Sequence, residues 1–249
     1  MLSGKRIIVT GGARGLGRSF AEGIARQGAH VVIADILEEQ GHAVAVDLRA
    51  DGLNVEFYPL DLAAPDSVEN CVEQAVKSLG GLDGLINNGA IATGIGGKSM
   101  EEIDVETWDR VMTVNVRGTW LMTRSSSPHL RASKAGRVVN VASDTALWGA
   151  PMLMHYVSSK GAVISMSRAM AREMGTDNVT VNVIAPGLTL CEATEYVPEE
   201  RHRLYMEGRA INREQYPEDI VGAVSFLLSD SAGFLTGQVL PVNGGFVMN

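Results

Sequence analysis

The sequence predicts an α/β protein: a doubly wound, seven-stranded parallel sheet flanked by helices, in one domain over residues 1–249. Three observations carry this expectation. Short β-branched runs alternate with longer amphipathic stretches along the whole chain. The strand-like runs are apolar on nearly every residue, as in Leu85-Ile86 and Val138-Val139, which suits a parallel sheet covered on both faces. A glycine-rich turn lies where the first strand must pass into the first helix.

Taken in order, residues 7–10 read as a strand, 16–27 as a helix, 31–35 as a strand and 37–50 as a helix. Strand 55–59 leads to helix 66–79, strand 82–87 to the long helix 105–133, and strand 137–141 to helix 156–174. Strand 179–185, helix 217–229 and strand 238–242 complete the series, with no linker, repeat or low-complexity segment between them. Residues 188–214, rich in Glu, Arg and Tyr, break the rhythm, and an irregular stretch of that length is expected to be a lid over a binding site.

Composition narrows the function classes. A chain of 249 residues, 45% hydrophobic and 20% charged, can bury a sizeable core and is neither disordered nor fibrous. Its formal net charge of -8 argues against a nucleic acid or an anionic membrane surface as partner. No run approaches the length of a membrane span, so no membrane association is expected. Cys71 and Cys191 form neither a disulfide framework nor a zinc-ligand pair, and the histidines show no ligand-like spacing, so no metal site is expected. A reducing, cytoplasmic location fits, because the apolar run before Thr10 is far too short for a signal peptide.

The turn reads Thr10-Gly11-Gly12-Ala13-Arg14-Gly15-Leu16-Gly17, a G-x-x-x-G-x-G spacing. Glycines there let the backbone approach a pyrophosphate held at a helix N-terminus, although they also serve tight strand-to-helix packing. Asp35 ends the second strand-like run. A carboxylate at that place can accept hydrogen bonds from both ribose hydroxyls of an adenosine while repelling a 2′-phosphate, which favours NAD over NADP. Arg14 pulls the other way, since a guanidinium beside the ribose can pair a 2′-phosphate. Asp35 carries more weight because its repulsion would be direct.

Tyr156 and Lys160 stand four positions apart, so a helix places the phenol and the ammonium on one face. Ser143 follows strand 137–141 on the carboxyl edge, where open α/β sheets bind ligands. With these residues the chain resembles the short-chain dehydrogenase/reductases over residues 4–247. The resemblance rests on the Gly11, Gly15, Gly17 turn, Asp61-Leu62, Asn87-Asn88-Gly89-Ala90, Asn115, Ser143, Tyr156, Lys160 and Pro186-Gly187.

What the resemblance implies is a Rossmann fold and a catalytic tetrad of Asn115, Ser143, Tyr156 and Lys160. It further implies a dinucleotide held by Gly11, Arg14, Gly15, Leu16, Gly17, Asp35, Asp61, Leu62, Asn88, Pro186, Gly187, Thr189 and Cys191, with Tyr156 and Lys160 at its nicotinamide end. Tyr156 is then the general acid/base, Ser143 binds the substrate oxygen, and the Asn115 carbonyl holds a water in a proton relay. A free tyrosine, with a pKa of about 10, is a poor base. The Lys160 ammonium and an oxidised nicotinamide's positive charge are expected to favour its phenolate. Four positions depart from the family pattern: Gly89 and Ala90 are exchanged, Cys191 stands where a Thr is usual, and Asn243 where an Asp is usual.

The substrate pocket is expected to be apolar, from Leu147, Trp148, Met152, Leu153 and Met154 with Leu190, Tyr196 and Met206 of the lid, although each of these residues suits core packing equally. A hydrophobic or aromatic secondary alcohol, or its ketone, is the substrate class this implies. His155 reads either as a substrate-facing group or as a helix-surface residue, and Arg201, His202 and Arg203 as a solvated, salt-bridged helix in preference to a site for a substrate carboxylate. Two alternatives share the pattern: an NADPH-linked 3-oxoacyl-(carrier protein) reductase, whose acidic carrier the net charge would repel, and a non-catalytic NAD-binding sensor. The resemblance also implies a homotetramer assembled through residues 105–133, 156–174 and the C-terminal segment, with Val163, Met166 and Met170 suited to a buried helix face.

Overall fold

The structure is a computed structural model that describes residues 1–248; Asn249, the last residue of the expected domain, lies outside the described residues. In chain order it contains β1 (Arg6–Thr10), α1 (Gly15–Ala25), β2 (His30–Asp35), α2 (Glu38–Ala50), β3 (Val55–Pro59), α3 (Pro65–Leu79) and β4 (Gly84–Asn87). Then come α4 (Val105–Met112), a π-helical segment (Thr113–Gly118), α5 (Thr119–Ala132), β5 (Arg137–Val141), α6 (Thr145–Trp148) and α7 (Met154–Met174). β6 (Thr180–Pro186), α8 (Glu199–Gly208), α9 (Glu218–Leu228) and β7 (Val239–Val242) finish the chain.

All strand pairings are parallel, in the spatial order β3-β2-β1-β4-β5-β6-β7. Successive side chains of a strand face opposite sides of a sheet. Ile7 and Val9 accordingly join Phe20 and Ile24 of α1, Leu48 of α2 and Leu227 of α9 on one face. Ile8 joins Val68 and Val72 of α3, Met122 of α5 and Met174 of α7 on the other. Each such fully buried side chain contributes about 1.5–3 kcal/mol, so continuous apolar runs are what a sheet covered on both faces requires. Helix ends follow local chemistry: α3 starts at Pro65 and stops at Gly80 in the left-handed region, and the Asp104 carboxylate caps α4 by accepting from the Thr107 N–H at 2.7 Å.

The strand order reverses between β1 and β4, so the carboxyl ends of these neighbours, Thr10 and Asn87, flank a crevice. That is the place where doubly wound sheets take ligands.

Several expectations are corrected. The long helix expected over 105–133 is interrupted by the π-helical Thr113–Gly118. Residues 188–214 are not irregular throughout, because they carry a 3₁₀ turn at Glu192–Thr194 and the helix α8. Val163, Met166 and Met170 are spent inside the chain: Val163 and Met170 are buried in its apolar clusters and Met166 packs against them. Among the described residues no helix is long and apolar enough to cross a membrane.

Candidate active site

The glycine turn is braced from the neighbouring strand. Asn88 Nδ2 donates to the carbonyls of Thr10 and Gly11, both at 3.0 Å, and the backbone N–H groups of Asn88 and Gly89 donate to Thr10 Oγ1. Gly11 has φ +65°, and a Cβ on it would lie 2.6 Å from Gly89 Cα. Gly17 is excluded from bearing a side chain by the Gly11 carbonyl and Asn88 Nδ2. α1 begins at Gly15 behind Arg14 with no side-chain cap and no acidic residue in its first turn. Its N-terminal amides thus meet the crevice with nothing negative in the way.

Asp35 closes this end. Its carboxylate is buried and accepts from the backbone N–H groups of Ala13 and Leu37, both at 3.0 Å, tying the tip of β2 to the glycine turn. Each oxygen keeps acceptor capacity for a further donor. Asp61 fixes its own turn by accepting from Ala63 N–H at 2.8 Å.

At the other end, β5 delivers Ser143, whose hydroxyl accepts from Thr145 Oγ1 at 2.9 Å. α7 carries Tyr156 and Lys160 on one face, as their spacing requires. The Lys160 ammonium donates to the Val141 carbonyl at 2.8 Å and lies 5.6 Å from the centre of the Tyr156 ring. Burial pushes the Lys160 pKa down to about 8. It pushes the Tyr156 phenol up to about 12, with the Ser143 hydroxyl pulling downward and the Asp144 charge adding to the rise. The lowering expected from Lys160 is not seen: desolvation of the phenolate dominates, Ser143 is the group that pulls downward, and the chain by itself holds Tyr156 as a protonated acid.

Asn115 sits in the π-helical segment and is buried behind the crevice. Its side chain clamps residue 91, accepting from Ile91 N–H at 2.7 Å and donating to the Ile91 carbonyl at 3.0 Å, and it donates to Ser159 Oγ at 3.1 Å. Ser159 in turn donates to the Tyr156 carbonyl. Asn115 thus ties the loop after β4 to the turn of α7 that carries Tyr156. Its own carbonyl accepts from Thr119 Oγ1 at 2.8 Å, so a relay water would share that oxygen.

A single cleft of about 1400 Å³ joins both ends. Gly11, Arg14, Gly15, Leu16, Asp35, Asp61, Leu62 and Asn88 line one end, and Ser143, Tyr156, Lys160, Pro186, Gly187, Thr189 and Cys191 the other. Trp148, Met152 and Tyr196 line it as expected, whereas Gly17, Asn115, Met154 and Met206 do not. Gly17 acts by close packing and Asn115 by bracing. Met154 faces a separate groove beside Lys98 and Met100. Met206 is displaced by helical phase: α8 turns about 100° per residue and presents Leu204 and Tyr205 instead. Leu153 lines the cleft as expected, and Thr194, Leu204 and Tyr205 are cleft residues that the sequence did not single out. His155 is neither substrate-facing nor on the surface, because it is fully buried.

The departures from the family pattern also resolve locally. A Cβ on Gly89 would come 2.9 Å from Leu62 Cδ1. Thr189 Oγ1 donates to the Gly187 carbonyl at 3.1 Å, which uses its proton and leaves it only as an acceptor toward the cleft. Thr194 lies beside Cys191, accepting from its N–H at 3.1 Å and donating to the Thr189 carbonyl at 2.7 Å.

A phosphate cradle, a buried strand-end carboxylate and a Ser–Tyr–Lys cluster in one cleft of a doubly wound sheet define a dinucleotide-dependent oxidoreductase. A family model described as enoyl-(acyl carrier protein) reductase matches residues 11–247, and the chain belongs to the short-chain dehydrogenase/reductase family, which uses nicotinamide cofactors. The chain is 32% identical to the 3-oxoacyl-[acyl-carrier-protein] reductase FabG of Thermotoga maritima, over 99% of both chains. It is 34% identical to the cyclopentanol dehydrogenase of Comamonas sp. (strain NCIMB 9872), over 98% of both. The crystal structure of a "putative gluconate dehydrogenase" from Agrobacterium tumefaciens superposes with a TM-score of 0.93 at 26% identity, covering 99% of this chain and 98% of that one.

Proposed function

We propose that the chain is an NAD(H)-dependent oxidoreductase that interconverts a hydrophobic or aromatic secondary alcohol and its ketone. The observation that carries this reading is the continuity of one cleft from Asp35, which opposes a 2′-phosphate, to Tyr156 and Ser143 beneath a wall of Trp148, Leu153, Leu204 and Tyr205. The residues fit the cofactor: the cradle has no room for side chains at Gly11 and Gly17, and the first turn of α1 offers uncapped amides to a pyrophosphate. When bound, the nicotinamide supplies hydride exchange with the carbinol carbon.

The chain's own part is proton transfer and placement. Ser143 donates to the substrate oxygen and holds it beside Tyr156. Tyr156, protonated at neutral pH, gives its proton to a ketone oxygen and takes it back from an alcohol in the reverse direction. Lys160, anchored on the Val141 carbonyl, places a positive charge behind the phenol that limits the cost of phenolate. Asn115 keeps the floor of the cleft and the first turn of α7 in register.

A second reading is a carrier-linked 3-oxoacyl reductase. The resemblance to FabG and the presence of Arg201 and Arg203 on the cleft rim favour it. Initial rates of NAD and NADP reduction at alkaline pH, across aliphatic, alicyclic and aromatic secondary alcohols, separate the two. NAD-linked turnover that Tyr156→Phe abolishes supports the dehydrogenase. Turnover only with NADPH and a 3-oxoacyl thioester supports the reductase. We further propose a cytoplasmic homotetramer, which sedimentation as a monomer would overturn.

A further inference from the structure

The residue after Ser143 is a fully buried carboxylate, Asp144. Its backbone N–H donates to the Pro186 carbonyl at 3.0 Å, and its carbonyl accepts from the N–H groups of Leu147 at 2.8 Å and Trp148 at 3.2 Å. Asp144 thereby fixes the short helix α6 that carries Trp148. Its side chain reaches two other parts of the molecule. Oδ1 accepts from Tyr205 Oη of α8 at 2.7 Å, and Oδ2 from Asn243 Nδ2 of the C-terminal segment at 3.3 Å.

Asn243 gains a meaning here. An Asp at 243 would set a second carboxylate within hydrogen-bond distance of the first in the interior, whereas the amide supplies a donor. Tyr205 is the one residue of α8 that is buried. Its ring stacks on Phe246 with centroids 4.4 Å apart and meets Trp148 edge-on at 6.4 Å. The Arg209 guanidinium lies over the same ring and donates to the Leu188 carbonyl and to Gln215 Oε1. The deep attachment of the lid helix therefore converges on one hydroxyl and one carboxylate.

We propose that Asp144 is a positioning residue that latches α8, through Tyr205, onto the loop bearing Ser143, and so sets the aromatic wall of the substrate pocket. The latch rests on the alcohol dehydrogenase reading only for what the pocket holds. A charged acceptor makes the hydrogen bond strong, and losing it leaves a buried carboxylate short of a donor.

Tyr205→Phe removes the hydroxyl and keeps the ring stack. Limited trypsin digestion of the protein without substrate reads lid opening directly, because Arg201 and Arg203 lie within α8. Nicking at these two arginines is expected to accelerate about tenfold, with the melting temperature falling by only a few degrees. KM for the best secondary alcohol is expected to rise about tenfold while kcat and the dissociation constant for NADH stay within about twofold. Asp144→Asn, which keeps an acceptor oxygen for Tyr205, should nick more slowly than Asp144→Ala. Nicking and KM both as in the parent protein would overturn the latch, as would a large fall in melting temperature with cleavage throughout the chain. Faster nicking at Arg201 and Arg203 with no alcohol turned over by the parent protein would uphold the latch and remove the alcohol reading.

Discussion

Gly17→Ala offers a sharp test of the cradle. A Cβ at this position would fall inside the contact distance of the Gly11 carbonyl oxygen, 2.7 Å from the Gly11 carbonyl carbon and 2.6 Å from Asn88 Nδ2. Restoring an ordinary separation of about 3.5 Å moves these atoms by about 1 Å. They cannot move singly, because Asn88 bonds both turn carbonyls and Gly11 already abuts Gly89. Overpacking costs about 1–3 kcal/mol, and the helix-propensity gain of alanine over glycine returns about 1 kcal/mol, so the fold survives with a modest loss of stability. The turn does not keep its shape. Losing one or two charge-assisted backbone contacts to the pyrophosphate, at about 1.5–3 kcal/mol each, weakens NADH binding by about tenfold or more. Titration calorimetry with NADH measures it. Gly23→Ala in the same helix is the control, since its Cβ meets only the Val221 side chain, which can turn aside, and NADH binding should change less than about twofold. A Gly17→Ala dissociation constant within about threefold of the parent would refute the argument.

Further outcomes follow from other residues. Tyr156→Phe should lower turnover by about 10²- to 10⁴-fold with a far smaller change in NADH affinity, checked by steady-state rates and calorimetry on one preparation. Lys160 has a folded pKa of about 8 against an ordinary 10.5, so above pH 8 the unfolded chain binds a proton that the folded chain does not. Stability should therefore rise by about 2–3 kcal/mol between pH 8 and 10 relative to Lys160→Met, read by urea unfolding; Tyr156, raised from 10 to about 12, opposes this only above pH 10. Met152 adopts φ +61° and its side chain is 45% exposed. Met152→Gly should stabilise by about 0.5–1 kcal/mol, raising the melting temperature by about 2 °C, and a fall would show that the side chain packs more than its exposure implies.

The sheet was legible because a strand buried on both faces must be apolar throughout, as Ile7-Ile8-Val9 and Val138-Val139 are. The cleft was legible where backbone geometry demands a residue type: Gly11 needs its positive φ, and Tyr156 and Lys160 need one helical turn between them. Side chains that act through tertiary partners left no such mark. Asp144 reads as an ordinary turn aspartate until Tyr205, 61 residues later, is seen against it. Met206 and Tyr205 differ only in helical phase, which depends on where α8 begins, and the Glu-rich stretch hid that start. The π-helical turn at Asn115 also has no local signal, and the bonds its side chain makes run to Ile91 and Ser159, which are distant in sequence.

The brace that Asn88 places on the glycine turn bears on how this fold can be divided. All the glycines of the cradle lie in the first βαβ unit, which suggests a self-sufficient nucleotide-binding module of some sixty residues. The carbonyls of that turn are nonetheless held by an amide delivered from β4, across the point where the strand order reverses. A fragment ending before β4 would carry the whole glycine motif and its tie to Asp35 but lose the amide that holds the turn carbonyls. Recombination or truncation that keeps this nucleotide site must carry β1 and β4 together, so the unit of inheritance for the cradle is a pair of adjacent strands distant in sequence.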